Sequence, residues 1–193
     1  IKDGIAAVLL VVQFVFMIPD IIYVLENTGF DPSWRYFLNV VNGTDLKFGR
    51  DIYFTYGPLG YLFYLMKLPG NKIEYWSGIV IWGIIFLFHL WMLLQLYRLY
   101  QKGKIHFWAI TASVCCYLAG YYAPTRDNYL LYLMILAVVL WAKGAKNIVL
   151  IPNLLLLLMF FGKFSTFTSG FAFCILFCIF DVLFRKNWKS IWL

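Results

Sequence analysis

Charged residues are scarce in this chain of 193 residues, and their scarcity excludes the ordinary classes of water-soluble protein. Asp, Glu, Lys and Arg together make up 13% of the sequence, whereas hydrophobic residues make up 63%. A water-soluble domain has about a quarter of charged residues and roughly 45–50% of apolar ones. The composition therefore predicts an integral membrane protein of the all-α class.

Short motifs of several enzyme classes are also missing. The sequence contains no Gly-x-Gly-x-x-Gly, P-loop, Gly-x-Ser-x-Gly or His-Glu-x-x-His pattern, so nucleotide-driven and hydrolytic chemistry has no support. The four cysteines lie in apolar runs without Cys-x-x-Cys spacing and are interpreted as small hydrophobic side chains. His89 and His106 are isolated, which predicts no metal site. The net charge of +7 comes without a basic stripe, so no nucleic-acid partner is expected.

Long apolar runs indicate where the chain crosses the membrane. One crossing needs about 20 mostly apolar residues, and six runs approach or reach that length, namely 4–25, 74–100, 105–122, 129–142, 148–161 and 169–184. We therefore expect a polytopic helical bundle of about six spans in a single membrane domain covering residues 1–193. The chain begins without Met, which is consistent with a fragment of a longer protein.

The distribution of charge predicts the orientation of these spans. Alternate crossings with a cytoplasmic N-terminus bring nine of the 16 Lys and Arg residues to the inner side, in short turns that are nearly free of acids. Acidic residues accompany the other seven on the outer side. Because Lys and Arg collect on the cytoplasmic side of membrane proteins, the large loop 26–72 is predicted to lie outside.

This outer loop combines charged and aromatic residues with prolines. Asp31-Pro32 is typical of a helix start, with the acid at the N-cap and proline at the first helical position. A surface helix over 32–41 would present one apolar face, formed by Trp34, Phe37, Leu38 and Val41. The apolar segment 58–69 is too short to span and predicts a second interfacial or re-entrant helix.

Two residues of the predicted surface helix are candidates for chemistry. Asp31 can act as a general base, ligate a metal ion, or serve only as a helix cap. Arg35, four residues later, can pair with Asp31 or hold a phosphate through its planar guanidinium.

Further candidates lie outside that helix. Arg50 is a second candidate phosphate ligand in the outer loop. Lys163 interrupts an apolar run, and it either extends to the membrane interface or binds a lipid phosphate. Arg126 and Asp127 form either a solvated pair in a turn or part of a cavity wall.

The order of these residues resembles the GT-C superfamily of polytopic membrane glycosyltransferases. The resemblance is carried by a first span, an outer loop with Asp31 and Arg35, and Gly49-Arg-Asp-Ile-Tyr53 running into Gly57-Pro-Leu-Gly-Tyr-Leu62. It is similar to members such as protein mannosyltransferases and the lipid A aminoarabinose transferase, and it covers about the first third of the chain.

The resemblance implies a function and a set of site residues. It implies transfer of a sugar from a polyprenyl-phosphate donor to an acceptor on the outer face, with Asp31 as the catalytic base. Arg35, Arg50 and Lys163 would hold the donor phosphate. The residues expected to line the cavity are Asp51, Tyr53, Tyr56, Pro58, Arg126 and Asp127.

Two alternatives remain open from the sequence. The first is a non-catalytic membrane subunit that uses the loop to contact partner subunits, and the second is a transporter, which interrupted helices also suit. No cofactor is required by the sequence, and a divalent metal ion is compatible with the acidic residues. Membrane lipids are expected partners in every case.

Overall fold

The computed structural model describes residues 2–17, 30–108, 110–111, 126–145, 148 and 150–185. Within these ranges the chain is helical and forms no β-sheet, which confirms the all-α class. The α-helices are α1 (Lys2–Met17), α2 (Phe30–Val40), α3 (Lys72–Gln101), α4 (Arg126–Ala142), α5 (Leu150–Gly162) and α6 (Phe164–Arg185). Two short 3-10 helices, η1 (Val41–Gly43) and η2 (Gly60–Tyr64), lie between α2 and α3.

Two of these helices are long and apolar enough to cross a membrane. They are α3, with 30 residues, and the 20 residues Phe164–Leu183 of α6. Both match predicted spans. At 1.5 Å per residue, α3 is about 45 Å long and exceeds the roughly 30 Å of a hydrocarbon layer.

The other predicted spans have shorter counterparts or lie outside the described residues. The helix α4 begins at Arg126, three residues earlier than the predicted span, and α5 has 13 residues. The helix α1 covers residues 2–17 of the first predicted span, and the rest of that span lies outside the described residues. Most of the predicted span 105–122 also lies outside them.

The helix α4 is the centre of the packing. It contacts α3 as well as α5 and α6, while α1 packs on α3. Leu133, Met134, Ala137 and Val138 of α4 have no exposed surface. The side chain of Cys174 on α6 reaches Met134, with 3.9 Å between the two sulfur atoms. Apolar burial on several sides of α4 thus joins the long helices into one bundle.

The helix α2 has the predicted apolar face but a different start. It begins at Phe30, so Asp31 and Pro32 lie inside its first turn and not at the N-cap and first helical positions. Leu38 and Val41 are buried and Trp34 is half-buried. This face packs on η2, so the predicted amphipathic pattern is confirmed, whereas the helix already includes Phe30 before the Asp31 that was predicted to cap it.

The interfacial or re-entrant helix predicted over 58–69 is present only in part. The chain forms only the five-residue η2 there and continues without regular structure to Asn71. Tyr61, Leu62, Phe63 and Leu65 are buried. The middle of this segment is therefore enclosed by the protein, whereas Pro58, Lys67 and Pro69 are exposed.

Polar side chains replace the missing helical hydrogen bonds of this segment. Asn39 donates to the carbonyl of Tyr64 at 2.7 Å and accepts from the N–H of Met66 at 3.0 Å. Asn71 donates to the carbonyl of Met66 at 2.9 Å. The indole of Trp82 on α3 donates to the carbonyl of Leu62 at 2.9 Å. Because buried backbone groups need partners, these side chains allow an irregular chain to be buried.

A second set of bonds joins the outer loop to the break between α5 and α6. The break predicted over 162–168 consists of Lys163 alone. The N–H groups of Gly57 and Leu59 donate to the last two carbonyls of α5, on Gly162 and Phe161, both at 2.9 Å. The N–H of Phe164 donates to the backbone carbonyl of Thr55 at 2.9 Å. The loop thereby satisfies backbone groups that helix ends leave open, and we call this contact the backbone clasp.

The clasp explains why residue 57 is glycine. A Cβ atom at this position would lie 2.5 Å from the carbonyl oxygen of Phe161, which belongs to the backbone and cannot move aside cheaply. We expect Gly57→Ala to lower the free energy of unfolding by about 1–3 kcal/mol, as overpacked substitutions do. Equilibrium unfolding in detergent micelles measures this change. Gly43→Ala is the matched control, since no atom lies within 4 Å of its added Cβ, and equal effects of the two substitutions would contradict the clasp.

Candidate functional site

Aromatic rings from the outer loop and α2 form a cluster beside the clasp. The rings of Trp34 and Tyr56 stack with centroids 5.0 Å apart, and Trp34 meets the edge of Tyr64 at 4.8 Å. The hydroxyl oxygens of Tyr56 and Tyr64 are 3.3 Å apart. Phe54 lies on both Trp34 and Tyr56, at 5.7 Å from each, and extends the stack to the surface.

Three cationic side chains contact these rings. The guanidinium of Arg35 lies 4.7 Å from the ring centre of Tyr64 and 5.4 Å from that of Trp34. The guanidinium of Arg126 lies 5.7 Å from Tyr64. Lys163 places its Nζ atom 5.2 Å from the ring of Tyr56. All four distances fall within the range of about 6 Å in which a ring face attracts a cation. We call these residues the cation–aromatic cluster.

Distant parts of the chain bring these cations together. Arg35 belongs to α2, Arg126 opens α4, and Lys163 is the single residue between α5 and α6. The clasp pairs the backbone of Lys163 with that of Tyr56, which places the lysine beside that ring. Arg126 belongs to the same site because its guanidinium lies over the ring of Tyr64, the last residue of η2. The guanidinium of Arg35 lies over the same ring.

Burial increases the electrostatic effect of the cluster. Arg126 is only 6% exposed and Tyr56 only 5%, while Arg35 and Lys163 are half-buried. Charges in such surroundings interact more strongly than they do in water. Two guanidinium groups and an ammonium group near one pair of rings can together bind a multivalent anion such as a phosphate monoester.

The two acids next to the cluster are known only by their place in the chain. Asp31 lies one turn before Arg35 on α2, and Asp127 follows Arg126 in the first turn of α4. Their side chains lie outside the described residues. Their roles as base and as cavity wall therefore stay predictions.

Arg50 and Asp51 form a separate site on the exposed loop. The Arg50 guanidinium holds the Asp51 carboxylate through both Nε and Nη2, the latter at 2.7 Å. The same carboxylate accepts from the backbone N–H of Lys47 at 2.9 Å. The Arg50 fork, and after it the Lys47 backbone, lower the pKa of Asp51 below its usual value. Arg50 is therefore engaged with Asp51, away from the rings that hold the other three cations.

The remaining predicted cavity residues differ in their surroundings. Tyr56 is at the centre of the cluster, whereas Tyr53 is 83% exposed. Pro58 lies in an exposed turn inside the clasp. In the described ranges, no three His, Cys, Asp or Glu side chains lie close enough to hold a metal ion, so a divalent metal stays a prediction.

Sequence reasoning missed three parts of this site. Trp34 was assigned only to an apolar face, and Tyr64 was not singled out although its ring contacts two cations. Arg126 was expected in a cavity wall and not among the phosphate ligands. Trp34 and Arg35 are neighbours in sequence, and this could have indicated a contact between the arginine and an aromatic ring. The approach of Arg126 to Tyr64 is a tertiary contact with no local signature.

Comparisons of this chain with protein-family models, with curated proteins and with solved structures found no match. The fold and the cation–aromatic cluster therefore have to be interpreted from their own geometry.

The cluster predicts selective binding of a phosphate monoester. We expect farnesyl phosphate to bind in detergent micelles, and Lys163→Gln to weaken it about 10- to 100-fold through loss of a charged contact. Arg50→Gln removes the same charge from the exposed Arg50–Asp51 pair and should leave the affinity within about twofold. Isothermal titration calorimetry gives both values. An unchanged affinity in Lys163→Gln, or an equal loss in the two variants, would remove Lys163 from the site.

Proposed function

We propose that this chain is the membrane module of a GT-C-like glycosyltransferase that uses a polyprenyl-phosphate-linked sugar. The observation that supports this proposal best is the meeting of Arg35, Arg126 and Lys163 over the rings of Tyr56 and Tyr64. Glycosyl transfer from such a donor expels a lipid phosphate, and nearby cations stabilise the negative charge that develops on it.

The proposal includes a polytopic arrangement with about six spans and a cytoplasmic N-terminus. On α3, the exposed Trp76 and the partly buried Tyr97 lie 21 residues apart, or about 31 Å along the axis. This separation matches the thickness of a hydrocarbon layer, whose borders attract Trp and Tyr. Arg98, Lys102 and Lys104 follow at one end of α3, and they favour that end as the cytoplasmic one. The cation–aromatic cluster is then on the outer side.

Cysteine labelling tests this orientation. In a background without the four native cysteines, Asn42→Cys should react in intact cells with a maleimide that does not cross membranes. Lys102→Cys should react only after the cells are opened. Both positions are exposed, so accessibility within the protein does not separate them. The reverse pattern would place the cluster in the cytoplasm and contradict the proposed orientation.

The proposed reaction is a displacement at the anomeric carbon of the donor sugar. The acceptor hydroxyl loses its proton to the Asp31 carboxylate while its oxygen forms a bond to that carbon. The bond from the same carbon to the phosphate oxygen breaks, and its electron pair leaves with the polyprenyl phosphate. Arg35, Arg126 and Lys163 bind this leaving group, so the reaction needs no protonation of the phosphate.

Substitution of Asp31 tests the enzymatic part of the proposal. Asp31→Asn should lower release of farnesyl phosphate from farnesyl-phosphate-linked hexoses by about 10²–10⁴, the usual contribution of a positioned general base. Its affinity for farnesyl phosphate should stay near that of the unmodified protein. Asp45→Asn, at an exposed position in the same loop, is the control and should keep full turnover.

Two outcomes of this assay would reject the assignment. Near-normal turnover in Asp31→Asn removes the base role from this residue. A complete lack of release by the unmodified protein, with any hexose donor and acceptor, favours a non-catalytic membrane subunit.

A further inference from the structure

A buried polar pair in the core has no role in the function proposed so far. His89 of α3 is fully buried and Tyr129 of α4 is 1% exposed. The Tyr129 hydroxyl and the Nδ1 atom of His89 are 2.7 Å apart. The ring of Phe14 from α1 lies 5.1 Å from the imidazole, and that of Tyr132 lies 5.7 Å from it. Ionisable residues within apolar spans are rare and usually mark function.

One face of α3 encloses the tyrosine. Trp82, Phe86 and His89 follow one another at spacings of four and three residues, which places them on one side of the helix. Their ring centres lie 6.1, 6.0 and 5.4 Å from that of Tyr129. The aromatic contacts surround the ring, and the hydrogen bond joins α4 to α3 at this level.

The same face of α3 is connected to the cation–aromatic cluster at two points. Arg126 lies three residues before Tyr129 on α4, on the same side of that helix. Trp82 donates its indole N–H to the carbonyl of Leu62 in η2, and η2 ends at Tyr64. Therefore α3 contacts both α4, which carries Arg126, and η2, which carries the ring of Tyr64 that the Arg126 guanidinium contacts.

We propose that His89 and Tyr129 are positioning residues that set Arg126 in the anion site. The inference rests on the proposed function for its ligand, a lipid phosphate. Loss of the hydrogen bond would let α4 shift along α3, and Arg126 would then leave the ring of Tyr64 without any change in its own side chain.

The geometry of His89 separates this role from proton transfer. Only Nδ1 contacts Tyr129, and Nε2 is buried without a hydrogen-bond partner among the described residues. For a positioning role, the side chain at residue 89 needs a polar atom where Nδ1 lies, and it needs no polar atom where Nε2 lies. An asparagine side chain supplies that atom, because its amide corresponds in length to the near side of an imidazole ring.

The first measurement is the affinity for farnesyl phosphate. Tyr129→Phe keeps the ring and removes the hydroxyl, and it should weaken binding about three- to tenfold, the value of one net hydrogen bond. His89→Leu should weaken binding similarly. His89→Asn should lose at most half as much binding free energy as His89→Leu does. The combination of Tyr129→Phe with Arg126→Gln should bind no worse than Arg126→Gln alone, because the two changes act through one contact. Additive losses, or a normal affinity in Tyr129→Phe, would overturn the inference.

The second measurement does not depend on any ligand. Arg126 is 6% exposed, so phenylglyoxal should modify it slowly in the unmodified protein, and mass spectrometry gives the rate. Tyr129→Phe and His89→Leu should raise this rate at least threefold, and His89→Asn should not. An unchanged rate would reject the positioning role even if farnesyl phosphate binds. If the unmodified protein does not bind farnesyl phosphate but the rates change as expected, the proposed function fails and the positioning of Arg126 stands.

Discussion

The structure depends on one constraint, which is that backbone polar groups buried among apolar side chains must find hydrogen-bond partners. The segment 57–71 is not α-helical although its middle part, residues 60–66, is largely buried, and it meets the constraint in two ways. The amides of Asn39 and Asn71 and the indole of Trp82 bind its interior carbonyl and N–H groups. Its start closes the ends of α5 and α6 through the clasp. Tyr61, Leu62, Phe63, Leu65 and Met66 thereby become part of the core.

The site follows from this constraint. The clasp fixes Tyr56 against Lys163, and the hydrogen bond from Asn39 to Tyr64 holds the other ring at the end of η2. The aromatic rings of the cluster are thus attached to α2, α3 and the α5–α6 break. Arg35 on α2 and Lys163 at the break therefore extend to the rings from backbone that is itself held in place, which would limit the conformational entropy lost on binding the proposed anion.

Patterns that depend on neighbours in sequence predicted much of the fold. Apolar length indicated α3 and α6, the spacing of Trp34, Leu38 and Val41 indicated the face of α2, and a lone Lys163 indicated the break. The helix predicted over 58–69 is shorter than expected, because Asn39 and Trp82, far away in the sequence, bind backbone groups of this segment. The approach of Arg126 to Tyr64 could not be predicted for the same reason, since it depends on how α4 packs on α3.

The two sets of cations differ in the groups that they are seen to contact. Asp51 binds the guanidinium of Arg50 through two nitrogen atoms and neutralises it, so an incoming phosphate would have to displace a carboxylate. A ring face orients a cation by its quadrupole and carries no net charge of its own. Arg35, Arg126 and Lys163 contact the rings of Tyr56 and Tyr64. We therefore favour the cluster over the Arg50–Asp51 pair for the proposed phosphate, although Arg50 was a candidate phosphate ligand from sequence and Arg126 was not.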